Sequence, residues 1–127
     1  MSKDATADSA AAATLAVIAR FNAAFNAHDV DAIMALMTDD CVFENTSPAP
    51  DGTRVTGQAD VRDAWLALFR DSPHAHFTSE DEFAAGDRAT VRWTYTWGSP
   101  VAGHVRGVDV FRVRNNKVAE KFAYVKG

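Results

Sequence analysis

An acidic side chain set inside an apolar strand is the group in this chain best placed to do chemistry. Asp109 stands among Val108, Val110 and Phe111. An ionised carboxylate there is costly unless it is paired or faces a polar cavity. By the period-two alternation of a strand, Asp109 shares a face with Val105, Gly107, Phe111 and Val113. Arg92, on the preceding strand and on one face with Thr94, is the expected partner. A guanidinium within hydrogen-bonding reach keeps a carboxylate ionised and lowers its pKa, which suits a general base. The plainer account is a carboxylate satisfied by a neighbouring arginine, with no chemical duty. Because perturbed carboxylates concentrate at functional sites, Asp109 is expected to be catalytic.

The other chemically able residues point less sharply. His28 falls at the end of the first helix, where a cation is favoured. His74 and His76 have a metal-like spacing but no third ligand nearby, so no metal site is expected. His104 precedes Asp109 by five residues and falls on the opposite strand face unless Gly107 introduces a bulge. Cys41 reads as a small core residue, since nothing cationic nearby favours a thiolate. Phe21, Phe25, Phe43, Trp65 and Phe111 could wall a pocket for a small apolar or polycyclic ligand, and they suit core packing equally well. No dinucleotide fingerprint, phosphate loop or metal-spaced histidine and cysteine set is present, so no cofactor is expected.

The elements that must position these residues follow from periodicity. Leu15, Ile18, Phe21 and Phe25 recur at helical spacing, giving a helix over Ala11–Ala27. Asp29 can cap a shorter helix carrying Ile33, Leu36 and Met37. Cys41–Asn45 reads as a strand, and the segment TSPAPDGTRVTG as an irregular loop. Val61, Ala64, Trp65, Leu68 and Phe69 give a third helix. The period then changes to two, with strands over His76–Ala84, Arg88–Trp97, Val105–Arg114 and Val118–Val125. Gly86-Asp87 and Asn115-Asn116 supply turns. Two helices, a strand, a helix and a four-strand meander make an α+β fold with a mainly antiparallel sheet.

A length of 127 residues suits one domain, with residues 1–10 as a frayed or disordered N-terminus and 11–127 as the folded unit. The formal net charge of −4 leaves no basic patch for a nucleic-acid or anionic-membrane partner. The N-terminal stretch has neither a signal-peptide core nor a membrane span. A single cysteine, Cys41, allows no internal disulfide and points to a reducing, cytoplasmic setting.

The run RFNAAFNAHDVDAIMALMTDDCVFEN, followed by RGVDVFRVRNNKVAEKFAYV, resembles the SnoaL-like branch of the nuclear transport factor 2-like superfamily over Leu15 to Val125. The resemblance implies a strongly curved sheet wrapped around three helices, a cone with one central pocket, and a homodimer. It also implies that the Asp109 face lines the pocket, with Arg92 and Thr94 on the cavity side. Trp93, Tyr95 and Trp97 then lie on the outer face, where an exposed apolar patch marks an interface, here that of the dimer. Ketosteroid isomerases in the superfamily carry a proton-shuttling aspartate where Asn45 stands and an oxyanion-hole tyrosine where Phe21 stands. An amide and a phenyl ring cannot serve, so that mechanism is not expected. Limonene-type epoxide hydrolases match at Asn45 and Arg92 but not at Phe43, Thr94 and Ala123. The expected function is therefore a cofactor-independent SnoaL-like enzyme (isomerase, cyclase, dehydratase or hydrolase) using Asp109 on a small, largely apolar substrate, with Asn45 orienting it. The alternative is a non-catalytic small-molecule-binding dimeric module with a structural Asp–Arg pair.

Overall fold

The computed structural model describes residues 3–98 and 102–126. In chain order it contains α1 (Lys3–Asn26), α2 (Val30–Ala35), β1 (Met37–Glu44), β2 (Arg54–Thr56), α3 (Gln58–Asp71), β3 (His76–Ala85), β4 (Arg88–Trp97), β5 (Gly103–Arg114) and β6 (Lys117–Val125). The six strands form one curved, open sheet in the order β2-β1-β6-β5-β4-β3. All neighbours are antiparallel except β1 and β6, which run parallel. The class is α+β, with the helices on one face of the sheet.

Three differences from the sequence reading have local causes. Of the N-terminal stretch expected to fray, Met1 and Ser2 lie outside the described residues, and the chain is helical from Lys3. Alanine carries the highest helix propensity, so the alanine-rich segment extends α1 backwards from its amphipathic part. Strand β1 begins at Met37 rather than Cys41, because Met37 pairs with Val118 before a bulge that ends at Val42. Within the expected loop, Arg54–Thr56 pairs with Val42–Glu44 as a short edge strand.

The apolar faces of α1 and α3 meet the sheet in one core. Val17, Ile18, Phe21 and Phe25 from α1 pack with Val61 and Trp65 from α3 and with Val91, Phe111 and Val118 from the sheet. Asp29 caps α2, its Oδ1 accepting from the Ala32 amide at 3.1 Å. The β5–β6 hairpin turns through Asn115 and Asn116, both at positive φ (53° and 61°), the conformation of a type I′ turn.

Candidate active site

Cross-strand partners share a sheet face, so the registers decide which side chains meet. On β4 and β5, Val91 pairs with Asp109, Trp93 with Gly107, and Tyr95 with Val105. Trp93 and Tyr95 therefore stand on the same face as Asp109, toward the helices. The face assignment drawn from the resemblance is reversed for β4. Gly107 gives the physical reason: a Cβ there would lie 2.5 Å from the Trp93 ring and 2.3 Å from the Tyr124 carbonyl oxygen. The missing side chain makes the space the indole fills.

Arg92 and Thr94 consequently lie on the outer face. Arg92 is exposed and borders a groove with Glu80, Arg106 and Tyr124. Thr94 Oγ1 donates to Glu80 Oε1 at 2.8 Å. Neither residue reaches Asp109, so the expected Asp–Arg pair is corrected. The aromatic interface on the outer face is corrected as well, because Trp93 is buried and Tyr95 and Trp97 are half-buried.

The residue that does pair with Asp109 is Lys121, which the sequence reading missed. Asp109 sits opposite Ala123 on β6, and Lys121 is the diagonal neighbour on the same face. Its Nζ donates to Asp109 Oδ1 at 3.3 Å, and the two residues are only 5% and 4% exposed. Three rings surround the ammonium: Phe43 at 5.1 Å, Phe25 at 5.4 Å and Trp65 at 5.6 Å from Nζ to centroid. Cation–π attraction of this kind is worth about 2 kcal/mol or more when the cation is desolvated.

Burial pushes the Asp109 carboxyl above its ordinary value, and the Lys121 ammonium and the Trp93 indole draw it back only in part. Among the described residues Trp93 Nε1 has no well-formed hydrogen-bond partner, and it acts on the carboxylate as a nearby dipole. A carboxyl poised this way is easier to protonate than an exposed one, and can both take and return a proton.

Above the pair lies a cavity of about 180 Å³. Phe25 of α1, Phe43 of β1, Trp65 and Leu68 of α3, and Phe77 of β3 form part of its wall. Trp93 and Tyr95 with Val105, Asp109, Lys121, Ala123 and Val125 complete the sheet side, and Asn45 and Thr46 stand at the end of β1. A second void of about 20 Å³, on the scale of a single water, touches the same pair from the side of Asn22 and Ser79. Asn26 anchors the Phe77 wall, exchanging two 2.9 Å hydrogen bonds with the Phe77 backbone.

The residues expected to bind a ligand divide between this cavity and other places. Phe25, Phe43, Trp65 and Asn45 line it. Phe21 and Phe111 pack beneath it in the core, 5.8 Å apart edge to face, without reaching its surface. Asn45 Oδ1 accepts from the amides of Thr53 (2.7 Å) and Ser47 (3.3 Å), so its carbonyl end organises the β1–β2 loop. His104 is exposed in an unbulged stretch and pairs with Thr96, away from the cavity. His28 Nε2 donates to the Ala75 carbonyl at 2.7 Å and stacks on Phe69, which ties α1 to the α3–β3 link. Cys41 is buried, and burial raises its thiol pKa. Among the described residues, no group of three or more His, Cys, Asp or Glu side chains converges as a metal site.

Comparison with known proteins identifies the class and then the family. Solved structures share the cone-shaped nuclear transport factor 2-like fold. One is a protein of that fold and unknown function from Mesorhizobium loti, 39% identical with a TM-score of 0.80, the match covering 92% of this chain and 93% of that one. A cystatin-fold protein from Novosphingobium aromaticivorans is 26% identical (TM-score 0.75, 87% and 97% covered). A putative polyketide cyclase from Sinorhizobium meliloti, at 19% identity, resembles the chain in fold alone (TM-score 0.74, 85% and 93% covered). The profile described as a SnoaL-like domain matches residues 18–121, and the chain belongs to that family. No curated protein matches it.

Proposed function

We propose that this chain is a cofactor-independent acid–base enzyme in which Asp109 transfers a proton to and from a small, largely apolar substrate. The observation carrying this reading is the buried Asp109–Lys121 pair at the wall of the 180 Å³ cavity. Asp109 takes the role of general base and then acid. Lys121 takes the charge-setting part that Arg92 was expected to play. The aromatic walls exclude water, which strengthens each electrostatic interaction inside. The size of the cavity favours a single ring over a polycyclic skeleton, since a cavity of about 150 Å³ accommodates benzene. Isomerase, cyclase and dehydratase chemistry share the step this site can perform, removal of a proton beside an activating group.

The test uses single-ring ketones in deuterated water, followed by NMR. The wild-type protein is expected to exchange hydrogen at the carbon next to the carbonyl. Asp109→Asn should lose about a hundredfold of that rate, measured where circular dichroism shows the variant folded, since it leaves Lys121 without its partner. Binding without exchange would overturn the enzyme reading in favour of a binding module with a structural Asp–Lys pair.

The dimer expectation moves to a different set of residues. With Trp93 and Tyr95 inside, the most exposed large apolar groups on the outer face of the meander are Phe83 and Tyr124, 59% and 54% exposed. A homodimer formed sheet to sheet uses these. A buried, free Cys41 accords with a reducing cytoplasm.

A further inference from the structure

Lys121 occupies the position in the cavity that an organic cation would take. A carboxylate and several aromatic faces around one point form the usual receptor for an ammonium group. Here Asp109, Phe25, Phe43 and Trp65 surround the chain's own Nζ. An incoming cation would meet a like charge at this seat, with little water to screen it. An incoming carboxylate would face Asp109 and leave one buried negative charge uncompensated, because the Asp109–Lys121 pair is already neutral. A neutral molecule adds no charge. An ammonium has three N–H donors, and the described structure shows one engaged, on Asp109 Oδ1. A ligand oxygen can accept from another.

We infer that Lys121 is the specificity-determining residue of this site, excluding organic cations and anchoring a neutral, single-ring-sized ligand through an acceptor oxygen. The inference rests on the ligand cavity of the proposed function but requires no turnover. It is therefore tested by binding alone.

The probes are cyclohexanone, cyclohexylammonium and cyclohexanecarboxylate, similar in shape and different in charge, titrated by calorimetry at neutral pH. The wild-type protein should bind cyclohexanone about tenfold or more tightly than either ion, because each ion brings an uncompensated charge into a poorly hydrated seat. Lys121→Met vacates the seat and leaves Asp109 and the rings, so the preference should reverse toward cyclohexylammonium. The double variant Lys121→Met with Asp109→Asn should lose that gain, and Lys121→Arg should keep the exclusion of cations. Equal binding of ketone and ammonium by the wild type overturns the inference. So does no binding of any probe, or a folded Lys121→Met that gains nothing for the ammonium. If Lys121→Met does not fold, the wild-type selectivity and Lys121→Arg still decide. Selective ketone binding without deuterium exchange would remove the enzyme reading and leave this inference intact.

Discussion

The two faces of the β3–β6 meander carry the same kinds of charge and use them in opposite ways. On the inner face Lys121 and Asp109 lie 3.3 Å apart, each almost fully buried. On the outer face Arg106 faces Glu80 at 3.7 Å, and Arg112 faces Glu120 at 3.6 Å, all in partial contact with solvent. Distance hardly separates these pairs, but dielectric surroundings do. Exposed pairs contribute about 0–1 kcal/mol, whereas removing one partner of a buried pair strands a charge and costs about 3–5 kcal/mol.

The largest effect expected from breaking this comparison is at Lys121. Lys121→Ala should lower unfolding free energy by about 3–5 kcal/mol in denaturant titrations. Adding Asp109→Asn should restore much of it, because no charge is then left unpaired.

A smaller effect, in pH, sharpens the comparison through two carboxylates shifted in opposite directions. Burial raises the folded-state pKa of Asp109 above its unfolded value. Over that interval the folded state binds more protons, so this group's contribution to stability falls as pH rises from the ordinary carboxylate range through the raised value. Asp40 is lowered by the Thr38 hydroxyl and by Arg114. Its contribution is present above the ordinary value and is lost as pH falls through the lowered one. Asp109→Asn should therefore flatten the decline on the upper side of the carboxylate range, as read from melting temperature against pH, and leave the acid limb in place. The smallest effect belongs to the outer face: Arg106→Ala should change unfolding free energy by less than about 1 kcal/mol and leave cyclohexanone affinity unaltered.

Where periodicity was strong, the fold was legible. The four meander strands, their two turns, the α3 stripe and the Asp29 cap all stand as the sequence implied. The placement of Asp109 on the cavity face also followed from alternation and resemblance together. What alternation cannot supply is the choice between faces. On β4 it separates Arg92 and Thr94 from Trp93, Tyr95 and Trp97, but the register against Gly107 decides which set turns inward. On β6 the pattern misleads outright. Phe122 and Tyr124 look like the buried set and Lys121 like the solvated one, yet Tyr124 is exposed and Lys121 is buried. A lysine enters an interior only when a carboxylate and rings from other elements meet it there, and those partners are distant in sequence. The short β2 strand left too few residues to show any period.

The cavity wall draws side chains from α1, β1, α3, β3, β4, β5 and β6. A site assembled from nearly every element dissolves when the chain unfolds, so occupancy is thermodynamically linked to global folding rather than to the motion of one loop. Any compound that enters must raise the melting point in proportion to the logarithm of its concentration over its dissociation constant. A simple thermal screen thus becomes a search for the natural ligand that presupposes nothing about the reaction.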